Sequence, residues 1–421
     1  MTRPVLLAGL AVANAPCTHA ISFGIFDARA LAMGGAVVAA AKTQQAQYYN
    51  PALLAFHEGR EEDTRDGRFI FPTAVAQFSD SVDSAASAVE DGLDGSLSNA
   101  VAAFNASPDA QSAGLVATFA RDLEDVLQSL VEEDAYLEAF TGMAVSEPSD
   151  WEGGAFYLGV RLIGIGTAEV SPEDLTLLNA YITGMEALAE GGDLDDLPAE
   201  IVDDNGNVID PTTVFDSNAD VAMLGLAEWG VSMSTSFEAY GQRFSVGITP
   251  KVLRAIAYRE QLAFDTGSTN FNDDKRTFTA LNLDLGFAAQ FGERLRVGLA
   301  VKDLVPEDYR TGNDLTLELR PRTRIGAAWF SKYYSVGLDY DIVEHQPIAD
   351  ESPTQDLSLG AEFTPFSGFA FQVGYRQDTT GEKQDTFSGG LSLSFRKLTT
   401  ELSYGKSSSI ESAALQISWA F

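Results

Sequence analysis

The chain has 421 residues and a formal net charge of −34, from 61 Asp and Glu against 27 Lys and Arg. So acidic a surface repels phosphate backbones and anionic headgroups, which argues against nucleic acid as a direct partner. A single cysteine, Cys17, excludes a disulfide framework and thiolate metal sites.

The N-terminus reads as a secretory signal. Arg3 supplies a minimal positive region, residues 5–13 an apolar core, and Thr18 and Ala20 small side chains around a cleavage position after Ala20. Pro16 before Cys17 is wrong for a lipid-anchor motif, and cleavage leaves a mature chain without cysteine. Residues 27–56 are small, nearly uncharged and without strand period, as suits a plug inside a barrel. Gly34-Gly35 permits tight backbone packing. Asn50-Pro51 sets a sharp bend, because the proline ring pushes Asn50 out of the helical region. Residues 21–66 are therefore expected to form a hatch and linker, and 67–421 the barrel.

Arg68–Ser79 is the first strand. Pro72 within it cannot donate to a ladder, so the wall there is expected to bulge or to open. The next segment is acidic: residues 80–134 hold twelve Asp and Glu against Arg121 alone. Leu115, Phe119, Leu123, Val126 and Leu130 form a helical stripe within it. Residues 140–146 (FTGMAVS) are a short strand candidate, followed by the turn Glu147-Pro148-Ser149-Asp150 and a strand over 154–167. A second acidic stretch, 169–220, holds fourteen Asp and Glu and no Lys or Arg. Ser171-Pro172-Glu173-Asp174 opens a helix there: a capping serine, proline in the first turn, and acids at the positive dipole end. Leu175, Leu178, Ile182 and Met185 continue it, and Gly191-Gly192 ends it. Asp203-Asp204-Asn205-Gly206-Asn207 lacks the full calcium-loop spacing and reads as a turn. The apolar stripes either pack on each other and the barrel rim or line an entrance for a hydrophobic ligand.

After residue 220 the period is two. Leu281, Leu283, Leu285 and Phe287 alternate with Asn282, Asp284 and Gly286; Leu295, Val297, Leu299 and Val301 alternate with Arg296, Gly298, Ala300 and Lys302. The pattern recurs to the C-terminus, where Ala413, Leu415, Ile417, Trp419 and Phe421 share one face. In a soluble sandwich the apolar face would be core, yet the opposite face carries Asp284, Arg296, Lys302, Arg376 and Glu401. An antiparallel transmembrane β-barrel with a polar lumen explains both faces. Tight links at 240–243, 291–294, 331–332, 365–368 and 396–397 alternate with longer ones around 267–277, 304–321, 343–354, 377–385 and 406–410. Thirteen clear strands would leave the chain ends on opposite sides; with 140–146 added, about fourteen result. The outer loops at about 81–137 and 169–220 are then long and partly helical.

The run Met33-Gly34-Gly35-Ala36, with Ala46-Gln47-Tyr48-Tyr49-Asn50-Pro51-Ala52, resembles the N-terminal hatch of the FadL-type outer-membrane transporters. The match is closer to a branch named conjugal transfer protein TraF, on Gly247-Ile248-Thr249-Pro250-Lys251, Asn282-Leu283-Asp284-Leu285-Gly286 and Val301-Lys302-Asp303-Leu304. The resemblance implies a fourteen-stranded barrel whose hatch releases a ligand by moving. It places gating at Gly34, Gly35, Asn50, Pro51 and Ala52 and a ligand near Tyr48 and Tyr49; Pro72 joins the gating residues on its own chemistry, as the place where the wall can open.

Of the lumen charges Asp284, Arg296, Lys302, Arg324 and Arg376, each needs a partner. They can pair across the barrel, or a ligand head group can replace one partner of Arg296, Arg324 or Arg376. No catalytic constellation is evident: the mature histidines are His57 and His345 only, and no nucleophile elbow, phosphate loop or zincin helix occurs. No enzyme activity, metal or cofactor is expected. The expected function is passive passage of small hydrophobic, long-chain fatty-acid-like molecules across the outer membrane of a Gram-negative bacterium. The alternative is a conjugation-associated or structural envelope protein that binds a partner through its acidic loops. Outer-membrane lipid and lipopolysaccharide, a hydrophobic small molecule, and the barrel-assembly machinery acting on the strand that ends at Phe421 are the expected partners of a monomer.

Overall fold

A computed structural model describes residues 21–56, 67–82, 93–132, 134–194, 197–203, 205–263, 275–311, 316–345 and 353–421. The expected signal (1–20), His57 and most of the expected hatch-to-barrel linker lie outside the described residues. Strands β1 (Arg68–Ser79), β2 (Ala135–Glu147), β3 (Glu152–Glu169), β4 (Asn218–Ala239), β5 (Gln242–Ala263), β6 (Arg276–Phe291) and β7 (Leu295–Lys302) form the first half of the wall. After a small hairpin of β8 (Glu307–Arg310) and β9 (Thr316–Leu319), the wall continues through β10 (Arg322–Phe330), β11 (Tyr334–Asp341), β12 (Asp356–Phe366) and β13 (Phe369–Asp378). It ends with β14 (Thr386–Phe395), β15 (Leu398–Lys406) and β16 (Ile410–Ala420). Each wall strand pairs antiparallel with the next, and β16 closes on β1, giving fourteen strands and no free edge.

The alternation in the sequence is the alternation in space. On β11, Tyr334, Val336, Leu338 and Tyr340 face outward and are exposed, while Ser335, Asp339 and Asp341 between them are buried in the lumen. An outward band of this kind is stable only against lipid, so the wall crosses a membrane. Among the described residues no helix is long and apolar enough to do so. The tight links fall at one end: β4 and β5 are joined by Tyr240-Gly241 alone, both at positive φ (54° and 70°), as two-residue hairpins with right-handed strand twist require.

The fourteenth strand is β2. It begins at Ala135, five residues before the segment that the sequence marked, so the first outer loop ends earlier than expected. The loop helices are α1 (Leu93–Ala106), α2 (Ala110–Glu132) and α3 (Pro172–Ala189). Ser171 caps α3 by accepting from the Glu173 backbone N–H. Leu178, Ile182 and Met185 are buried as expected, in one cluster with α1 and α2. The stripe on α2 is offset from the expected one. Leu115 is 46 % exposed, and Ala113, Val116, Ala117 and Ala120 form the buried face, because small side chains let the helices approach closely. Phe119 and Leu123 border this cluster; the Leu130 side chain lies outside the described residues. Asp203 folds its segment into a turn by accepting from the Asn205 and Asn207 N–H groups. The link expected over 304–321 instead contains the β8–β9 hairpin. His345, expected on an outer loop, is buried beside Asp341 with Nε2 3.1 Å from its carboxylate.

Candidate functional site: a plugged lumen

Residues 21–56 fill the lumen, and nearly all of them are buried. Asp27 caps a short helix, Ala28–Ala32, by accepting from the Ala30 N–H at 2.9 Å. Gly34 and Gly35 then turn the chain at φ 64° and 89°, where a side chain would be strained. A Cβ on Gly34 would also lie 2.7 Å from the Tyr375 backbone nitrogen. Asn50 is extended (φ −138°, ψ 99°) ahead of Pro51, and its side chain is the joint of the plug. Its Nδ2 donates to Val38 O (2.8 Å) and to Phe287 O of the wall (3.1 Å), and its Oδ1 accepts from the Ala52 N–H.

The wall makes room with luminal glycines. A Cβ on Gly298 would lie 2.6 Å from Val38 O, and one on Gly337 2.7 Å from Ala40 Cβ; Gly247 and Gly286 admit Ala52 and Asn50 in the same way. The wall also supplies counter-charges. Glu362 on β12 takes Arg29 (2.9 Å), and Glu401 on β15 takes Lys42 (3.0 Å) and Gln45 (3.2 Å). Asp339 on β11 accepts the Val37 and Val38 N–H groups at 2.7 and 2.8 Å. The alternation placed Glu401, Gly286 and Gly298 on the luminal face, but the role of these acceptors and glycines in receiving the plug escaped the sequence reading. Their only signal there is a Gly or acid at a luminal position of an alternating strand.

Tyr48 and Tyr49 sit at the packed centre. Phe26, Tyr48, Tyr49, Phe140 and Tyr157 stack edge-on or tilted at centroid spacings of 4.9–6.4 Å. The Tyr49 hydroxyl accepts from the Phe26 N–H. Both tyrosines are at most 2 % exposed, and neither lines the cavities described below. Most lumen charges are paired: Arg161 with Glu138 (2.9 Å), Lys251 with Asp284 (2.9 Å) and Asp303 (2.6 Å), Arg322 with Asp303, and Arg324 with Asp341 (2.6 Å). Lys302 donates to Tyr48 O at 2.6 Å and lies 4.5 Å from the Phe26 ring.

The three arginines proposed for a ligand are not together. Arg296 lies at the tight-turn end between the rings of Phe56 and Phe330, 4.9 and 4.7 Å from their centroids. Arg324 and Arg376 border a small cavity at the loop end, about 50 Å³, with Gln77, Tyr136, Glu138 and Lys383. Arg376 donates to the neutral amide oxygen of Gln77 at 3.2 Å and lies within electrostatic reach of the Glu138 carboxylate across the same cavity. Water occupies about 30 Å³ and ligand pockets about 300–1,000 Å³, so this cavity admits a head group and no more. At the tight-turn end two cavities of about 240 and 150 Å³ are both bordered by Lys42.

Pro72 lies where the register of β1 slips between Ile70 and Thr73 against both β16 and β2, so the expected bulge is present. Thr73, next in the chain, donates its hydroxyl to Phe26 O of the plug at 2.9 Å.

The family model described as "F plasmid transfer operon, TraF, protein" matches residues 47–341. Three solved structures bear a low-level similarity. The TodX monoaromatic hydrocarbon channel deltaS2 mutant has 9 % identity over 94 % of this chain and 97 % of that one, at a TM-score of 0.47. The Pseudomonas putida toluene transporter TodX has 10 % identity over 96 % and 99 % (TM-score 0.44). A Pseudomonas aeruginosa FadL homologue has 9 % over 94 % and 98 % (TM-score 0.44). No curated protein matches.

Proposed function

We propose, for a chain that belongs to the family of the F plasmid transfer operon TraF protein, a gated passage that lets small hydrophobic molecules, long-chain fatty acids among them, cross an outer membrane passively. The observation that carries this reading is a plug that fills the lumen without adding a strand to the sheet. It is held by side-chain pairs at Glu362 and Glu401, with cavities at both ends. Such a plug can shift while the wall stays closed. Arg376, which borders the loop-end cavity and donates to the Gln77 amide, is the proposed receptor for a ligand carboxylate there. Gly34, Gly35, Asn50, Pro51 and Ala52 are the proposed joints of the movement, and Pro72 a weak place in the wall beside it. The proposed setting is the outer membrane of a Gram-negative bacterium, as a monomer amid lipid and lipopolysaccharide, assembled through its C-terminal strand.

The test is growth on a long-chain fatty acid as sole carbon source, in a Gram-negative host that lacks its own fatty-acid channel and expresses this barrel in folded form. Growth is expected, and scrambling residues 27–56 should abolish its selectivity. Arg376→Glu should slow uptake about tenfold, the equivalent of ~1.4 kcal/mol. No growth from an assembled barrel would overturn the fatty-acid reading.

One observation favours a second reading: the lumen is nearly full, and α1–α3 close on a core of their own beneath an acidic surface. A conjugation-associated or structural envelope protein would use that surface to hold a basic partner. Deleting residues 93–132 would then abolish binding of the basic partner while the barrel still folds.

A further inference from the structure

Beyond Lys251 the inner wall departs from the polar-inside pattern. Ile163 and Ile165 on β3, Leu224 and Leu226 on β4, and Leu253 on β5 point into the lumen and are at most 2 % exposed. Val160 and Ile256, of opposite parity on β3 and β5, face outward and are 47 % exposed. An apolar inner wall needs an apolar cover. The cover is the β8–β9 hairpin, whose Tyr309, Leu317 and Leu319 belong to the same buried cluster. Its other face carries Asp308, Glu318 and Arg310, and Arg320 just beyond β9 pairs with Glu318 at 2.8 Å.

The hairpin is an imperfect cover. Its strands have four residues each, too short to hold together without the wall. The Tyr309 hydroxyl is buried and has no hydrogen-bond partner among the described residues, an arrangement that costs free energy wherever water is excluded. Beyond its apolar contact, the hairpin's polar attachment to the wall is concentrated at the two feet. Asp303 precedes β8 and Arg322 opens β10, and the two side chains form an ion pair. Lys251 and the Asp303 N–H bonded to Asp284 fasten that pair to the wall. Arg322 also donates to Ser22 O at 2.7 Å, so the same clasp holds the start of the plug.

We propose that the β8–β9 hairpin is a displaceable occupant of an apolar binding slot on the inner wall of β3–β5, and that a small uncharged apolar molecule takes the slot when the hairpin swings out on its clasped feet. This deepens the passage reading, on which it rests, by giving the apolar body of a ligand its own site. The unpartnered phenol is the mark of a cover built to leave: a permanent one would be as well served by phenylalanine.

The test uses the full barrel in lipid nanodiscs and the fluorescent probe N-phenyl-1-naphthylamine. Replacing residues 307–319 by a four-residue Gly-Ser link should give saturable binding of one probe per barrel, at least tenfold tighter than in the intact protein. Adding Leu224→Asp and Leu253→Asp should remove it. Two milder variants keep the hairpin: Asp303→Asn, which loosens the clasp, should raise probe binding, and Tyr309→Phe, which removes the buried hydroxyl, should lower it. A folded excised barrel that binds no more probe than the intact one overturns the proposal. If the excised chain does not fold, unchanged binding in both milder variants does so. Probe binding without fatty-acid-dependent growth would sink the passage reading alone; growth with unmoved probe binding would sink the slot alone.

Discussion

Lys42 stands between two carboxylates of the wall, 3.0 Å from Glu401 and 3.9 Å from Glu362, and borders both cavities at the tight-turn end. Removing one member of a fully buried pair costs about 3–5 kcal/mol. Lys42 keeps 31 % of its side-chain exposure, so Lys42→Ala should weaken plug docking by a smaller amount, about 1–3 kcal/mol. The reporter is amide hydrogen exchange over residues 28–56, which should accelerate while exchange in the strands does not. A second titratable group acts in the opposite sense. Asp27 is pushed up to about 6, chiefly by burial, with the Glu401 carboxylate adding to it and Arg29 and the Ala30 N–H opposing. The docked plug therefore holds the proton more tightly than the undocked one. Its stabilisation is full below about pH 4 and fades as pH rises through about 6, by roughly 2–3 kcal/mol. In planar bilayers, openings should be more frequent at pH 7.5 than at 4.5. Asp27→Asn, which keeps the cap acceptor, should flatten that difference; an unchanged pH profile would assign the step to another group.

Among elements, the glycines of the wall set how closely plug and sheet approach. Gly298→Val forces a side chain against Val38 O. It should cost about 1–3 kcal/mol, seen as a lowered thermal midpoint and faster plug exchange with strand pairing retained. The wall strands were legible in the sequence because lipid demands an apolar residue at every second position. β2 was only half legible: its first five residues include Glu138, which reads as loop until Arg161 is found 2.9 Å away. The hairpin was not legible at all, since its buried face answers to Ile163, Leu224 and Leu253, far off in the chain. The same distance hid Glu362 and Glu401 as partners of Arg29 and Lys42. Among the expected ligand residues, Arg324 and Arg376 came together and Arg296 did not, because alternation fixes the face of a residue but not its height in the barrel.

For the whole molecule, charge is divided by height. Residues 80–134 and 169–220 carry −25 of the −34, and the helices described within them, α1–α3, form a cap at the loop end. Like charges at this density repel, and salt screens them within about 10 Å at 0.1 M. Raising ionic strength from low salt to 0.5 M should lift the melting of the helical circular-dichroism signal by about 5 °C, while barrel melting on gels stays put. Equal shifts in both would mean that cap and wall unfold as one. The closure of β1 on β16, Arg68 opposite Ala420, bears on how the molecule is made. The plug enters the chain first and the closing strand last, and the wall is moulded to the plug at distances no side chain could slip past. Docking all of these contacts through the mouth of a finished ring would be slow, so a sheet that wraps its plug before β16 closes on β1 is the direct route. A chain halted before β16 would hold neither pore nor plug, only an open sheet with its cargo unsecured.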